Sequence, residues 1–175
     1  MLSSTRLYLT IALALSLVVT SCKVENRGAS KDAPAPASTD NPAVKLDAGL
    51  KATNHDALQC HLDLASGLPV SGPVVVRRGQ GASFEGWAFE KGQGVLADSQ
   101  LVFQGTAGSY HAKLKAGAAR PDVASAFGPE LGNAGFTTVV DISSVTAGEY
   151  ALWLATGMEA SDKACDLKTT VKIED

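Results

Sequence analysis

Aromatic residues make up only 6% of this 175-residue chain, and histidine occurs three times. A metal centre needs three or four converging ligands, and the candidates reduce to His55, His61, His111, Asp63 and Cys60. Strand alternation turns Cys60 to one face and His61 and Asp63 to the other, so the adjacent Cys-His pair cannot address one ion. No metal and no cofactor are expected. The G-x-S-x-G elbow of α/β-hydrolases is missing, and Ser83 and Ser109 stand at strand starts without a nearby basic partner. Glu85, Glu90, Asp98, Asp141 and Glu149 read as solvated strand-edge carboxylates rather than a glycosidase pair. Gly79-Gln80-Gly81 and Gly92-Gln93-Gly94 lie between strands, not ahead of helices, so they read as turns and not phosphate cradles. No catalytic residue is expected. Positive charge is also short: from residue 50 onward ten Lys and Arg face fourteen Asp and Glu, with Arg77-Arg78 as the sole adjacent basic pair. That balance argues against a nucleic-acid surface. Long apolar runs are lacking as well, because residues 7–19 number 13 where a membrane-crossing helix needs about 20.

That short run has the length of a secretory h-region, with Arg6 before it and the small residues Thr20 and Ser21 after it. Leu17-Val18-Val19-Thr20-Ser21-Cys22 resembles the lipobox of bacterial lipoproteins. The resemblance implies that the Cys22 thiol takes diacylglycerol and becomes the first residue once the leader is cleaved. Each buried methylene adds ~0.8 kcal/mol and two or more acyl chains hold stably, so palmitate-type acylation at Cys22 anchors the chain to a membrane. Lys23 follows, where the family's inner-membrane retention signal is aspartate. In a Gram-negative cell this implies the cell envelope, at the periplasmic face of the outer membrane.

With Cys22 assigned to lipid, Cys60 and Cys165 are left as an even pair in an oxidising compartment. Leu58, Cys60, Leu62 and Leu64 share one strand face, as do Cys165, Leu167, Thr169, Val171 and Ile173, so both sulfurs point into a core. A disulfide is expected, the alternative being two separate buried thiols.

The composition divides the chain into a leader (1–21), a lipidated cysteine with a disordered Ala, Pro and Ser-rich linker (22–49), and one domain (50–175). In the domain, strands are expected at 58–64, 73–78, 83–90, 100–104, 109–115, 135–142, 149–156 and 165–173, with a hairpin loop at Gly105-Thr106-Ala107-Gly108. A short helix is expected at 120–128, with Pro121 at its first position, Asp122 in its first turn and Gly128-Pro129 ending it. The fold class is all-β, an antiparallel β-sandwich of about 7 or 8 strands with one short helix.

Several pieces then fall into a known order: Gly86-Trp87-Ala88, Arg120-Pro121-Asp122-Val123, Gly135-Phe136 and Gly148-Glu149-Tyr150. They resemble the G-W-A, R-P-D-V, G-F and G-x-Y pattern of an Ig-like module found in bacterial surface-polysaccharide glycosyltransferases and membrane proteins. The resemblance covers about residues 84–155. It implies an Ig-like sandwich and an envelope setting, and no catalytic residues.

Tyr150, Leu152 and Leu154 form an inward stripe, which turns Trp153 outward between Ala151 and Ala155. There it can stack on a sugar ring or anchor a partner, unless the short helix covers it. Trp87 and Phe89 share a face and are assigned to the core. The expected function is a lipid-anchored envelope binding or scaffold module, non-enzymatic, with the membrane and an envelope protein or glycan as partners. The alternative is a periplasmic hydrolase or enzyme inhibitor whose site is built from sandwich loops.

Overall fold

The computed structural model describes residues 40–47, 49–50, 56–157 and 163–175, all within the unit Pro34–Asp175. The leader, Cys22, most of the linker and His55 lie outside the described residues. Twelve strands occur among them: β1 Val44–Leu46, β2 Leu58–Ala65, β3 Leu68–Pro69, β4 Val74–Arg77, β5 Gly81–Glu90, β6 Gly94–Val95, β7 Ser99–Gly105, β8 Gly108–Lys113, β9 Ala116–Ala118, β10 Gly135–Asp141, β11 Gly148–Thr156 and β12 Ala164–Glu174. One helix, α1 Pro121–Phe127, and a 3-10 turn, Pro129–Leu131, stand between β9 and β10. The first sheet runs β3-β2-β5-β10-β9 with β6 added on β5, and the second runs β1-β8-β7-β11-β12-β4. Their inner faces share one apolar cluster in which Tyr150, Leu152 and Leu154 face Phe84, Phe136 and Val140. Alternation explains the choice: the inward positions of these strands carry the large apolar residues, with the smaller Ala82, Gly86, Ala88 and Thr138 between them, and burying each large side chain contributes roughly 1.5–3 kcal/mol.

All eight expected strands are present, but the count of 7 or 8 is too low. β1, β3, β6 and β9 are two or three residues long. Segments so short carry no periodicity and form only because a neighbouring edge offers unpaired N–H and C=O groups. The sandwich is also not purely antiparallel, since β4 lies parallel to β12. After β3 the chain passes Gly72-Pro73 and crosses to the other sheet. Leu64 is a third difference. Register shifts by one residue between Leu62 and Leu64 against β5, and this bulge passes the inward position to Ala65.

Cys60 on β2 and Cys165 on β12 are joined by a disulfide with an S–S distance of 2.04 Å. The bond ties the first sheet to the second. Both residues pack against the common core, as alternation requires.

The domain also begins earlier than residue 50. Asn41, Ala43 and β1, assigned by composition to the linker, are built into the sandwich. Asn41 Nδ2 donates to Lys113 O (3.0 Å), Thr138 Oγ1 (3.1 Å) and Val139 O (3.2 Å), while Oδ1 accepts from Lys113 N (3.2 Å). Ala43 N donates to Asp141 O and Asp141 N to Asn41 O, and β1 then pairs with β8. The segment thereby closes the edges of β8 in one sheet and β10 in the other. A three-residue strand preceded by one buried alanine is too short to show a period in the sequence, and its stabilisation comes from backbone groups of distant strands. Replacing Asn41 by alanine is expected to lower stability by about 2 kcal/mol, through loss of several hydrogen bonds at a partly buried site. An unchanged urea midpoint would show that this segment contributes nothing.

Candidate functional site

β5 is apolar on both faces. Ala82, Phe84 and Ala88 enter the core between the sheets, whereas Trp87 and Phe89 point to the outer face and join a second cluster with Val123, Leu131 and Ala134. The assignment of Trp87 and Phe89 to the main core is therefore corrected. They do share a face, but that face is covered by α1 and the turn after it. Alternation alone cannot say which side of a two-sided apolar strand meets the other sheet.

The rings make a surface of their own. Trp87 and Phe89 lie 5.7 Å apart and nearly parallel, and Phe127 sits 5.4 Å from Trp87 and 5.3 Å from Phe89. His61, paired with Trp87 in the register, places its ring 6.2 Å from the indole. Phe89 is buried at 6% exposure, whereas Phe127 is 49% exposed. Phe127 is the last residue of a helix of two turns, which buries only Val123.

What fixes this helix is Arg120. Its guanidinium bonds Asp63 Oδ2 at 2.5 Å and both oxygens of Asp122, at 2.9 and 2.6 Å. Asp63 stands at the β2 bulge, so the irregularity in that strand coincides with the carboxylate that holds the helix. The hydrogen bonds from Arg120 keep the exposed Asp122 carboxyl at about 2, well below the usual range, and the same bonds raise the Arg120 pKa. Gly135 leaves room for the arginine stem, because a Cβ there would lie 2.8 Å from Arg120 Cγ. Gly128, at φ 140° and ψ 145°, makes the sharp break between α1 and the 3-10 turn in a region only glycine enters readily.

Three of the motif pieces thus meet in one place. Gly86 is paired with Phe136 and Trp87 with Gly135 across β5 and β10, and Arg120 spans from α1 to β2. The fourth piece lies in the second sheet, where Tyr150 Oη donates to Thr146 O at 2.7 Å and Tyr110 Oη shares a hydrogen bond with Thr146 Oγ1 at 2.8 Å. The bonds to Thr146 lower the Tyr110 pKa, while burial raises that of Tyr150.

Beside the rings lies a groove of about 680 Å³. Its lining combines the apolar Phe89, Val95, Phe127 and Leu131 with the polar Gln59, Lys91, Gln93 and Glu130. The volume falls within the ~300–1,000 Å³ of small-ligand sites. Sequence reasoning missed Phe127 and Val95 as surface groups. The available signal was a helix too short to bury two residues spaced by four.

The other candidates are dispersed. Trp153 is half-buried on the outer face of the second sheet, packed against Val102, Ala155 and Ala164 in a cluster that Leu46 and Leu50 join and α1 does not. His61 belongs to β2 and His111 to β8, on different sheets. Among the described residues no three His, Cys, Asp or Glu gather as metal ligands; His61 Nε2 lies 3.7 Å from Asp63 Oδ1. Glu90 is engaged by Lys163 at 2.5 Å. Asp141 accepts from Ser143 N at 2.9 Å, which lowers its pKa. Glu85 stands on β5, Glu149 on β11 and Asp98 in the loop before β7. No protein-family model, curated protein or solved structure matches the chain.

Proposed function

We propose that the chain is a lipid-anchored cell-envelope module of Ig-like fold that binds an envelope protein or glycan, without catalytic activity, through the aromatic face of its first sheet. The observation that carries this is the Phe127 groove, an open aromatic wall on a helix pinned by Arg120. Reactive side chains, by contrast, are spread over both sheets or engaged in ion pairs.

For the fold, the strand orders support the Ig-like reading. β2, β5, β10 and β9 follow the A-B-E-D order, while β4, β12, β11, β7 and β8 follow A′-G-F-C-C′. Tyr150, at the start of the F-like strand and bonded back to Thr146 O, has the form of a tyrosine corner. The disulfide departs from the antibody pattern by joining the first and last of these strands instead of B and F.

For the anchor, the support is the lipobox-like run ending at Cys22. Because Asn41 is already part of the sandwich, only residues 23–40 separate Cys22 from the folded body. Replacing Cys22 by serine is expected to abolish labelled palmitate incorporation and release the protein from the membrane fraction. A photocrosslinking amino acid at Phe127 or Val95 is expected to capture an envelope component that one at Val75, on the edge strand β4, does not. Label retained in the Cys22 variant would overturn the anchor, and equal capture from all three positions would overturn the binding face.

A further inference from the structure

The face that binds has a specific chemistry around it. We infer that the groove beside Phe127 is a carbohydrate site for an uncharged glycan, occupied by one or two pyranose rings; this rests on the binding-module reading and names its ligand class. A ring half open to solvent and backed by Trp87 and Phe89 offers a π-face to the C–H face of a sugar. Around it Gln59 and Gln93 supply primary amides, each with two donors and an acceptor, Glu130 supplies acceptors and Lys91 donors. Hydroxyl groups both donate and accept, so this mixed rim suits a polyol better than an apolar side chain.

Charge narrows the class. Lys91 and Glu130 oppose one another, and Glu90 is already neutralised by Lys163. The groove therefore has no net charge to offset the desolvation of a phosphate or carboxylate, which disfavours nucleotides and uronic or phosphorylated glycans. Size narrows it further. Eleven residues line the groove, about half of the ~20–30 per side in a standard protein interface. The site is pre-formed as well, since its lining comes from a paired strand and from a helix held by Arg120, which reduces the ordering cost on binding.

The test uses the full chain in detergent, carrying Trp153→Phe so that Trp87 alone reports by fluorescence. It is titrated with maltotriose, cellotriose, chitotriose and the neutral oligosaccharides released from the producing cell's own envelope. The expected result is saturable binding of at least one of these, weakened at least about tenfold by Phe127→Ala and also weakened by Gln93→Ala. Gln93 lies in an exposed turn, so its variant keeps the fold and guards against misfolding of the Phe127 variant. Binding by none of them up to about 10 mM, or binding untouched by both substitutions, would overturn the inference. Tighter binding of trigalacturonate would overturn its uncharged character. A protein adduct captured from Phe127 in cells, with no saccharide bound, would overturn the glycan while leaving the binding module standing; no adduct and no saccharide would remove both.

Discussion

Replacing Cys60 and Cys165 together by alanine should lower the free energy of unfolding by about 4 to 5 kcal/mol. The bond closes 105 residues of chain, and in the chain-entropy model a loop of ~100 residues restricts the unfolded ensemble by about 4.7 kcal/mol. Against a typical total of roughly 5–15 kcal/mol, that is a third or more of the stability. The placement adds to the effect. Cys60 is on the first strand of one sheet and Cys165 on the last long strand of the other, so the bond holds the two sheets together where no short connection does. Urea unfolding of the oxidised chain, the reduced chain and the double variant measures it directly. At ~3 to 4 °C per kcal/mol the melting temperature should fall by about 15 °C. Coincident transitions for oxidised and reduced protein would show that the sheets need no covalent link.

Gly86→Ala should cost about 3 to 4 kcal/mol, more than most single-methyl insertions. A Cβ built at Gly86 lies 2.1 Å from the His61 carbonyl oxygen and 2.7 Å from Phe136 Cζ. The first obstacle is backbone, held in the β2–β5 ladder next to the bulge, and cannot swing away. To admit the methyl, β2 must move off β5, and Asp63 would move with it away from Arg120. The variant should therefore lose stability and loosen α1 together, seen as a lower urea midpoint and faster amide exchange in 121–127. Gly72→Ala is the matched control. No atom lies within 4 Å of its Cβ and its φ is not positive, so a change within roughly 0.5 kcal/mol is expected. Equal effects at the two glycines would mean that close approach at Gly86 is not what the residue provides.

The legible parts of the fold are those where one strand face is apolar and the other polar. β11 and β12 are of this kind: Tyr150, Leu152 and Leu154 are buried, as are Leu167, Val171 and Ile173. An irregularity between β11 and β12 spans two extra residues, so Cys165 keeps the parity that alternation assigned to it. At β2 the bulge adds one residue, and the parity of Leu64 is lost. For the site, the same distinction holds. That Trp87 and Phe89 share a side was readable from their spacing, but which side was not, because Phe84 and Ala88 make the opposite side equally apolar. Trp153 was placed outward correctly, yet the cluster it packs in also takes Leu46 and Leu50, about 100 residues earlier in the chain.

Local spacing by itself determined the strands with one apolar face, the short helix with its proline start and glycine stop, and the two sulfurs that face a common interior. These depend on periods of two or four residues, which a chain carries without reference to its neighbours. The tertiary structure decided where the domain begins, which face of β5 became a surface, and that Asp63, Arg120 and Gly135 meet to hold Phe127 beside an open groove. Those outcomes depend on backbone edges left unpaired and on distances between strands far apart in sequence. Only the packed sheets supply them.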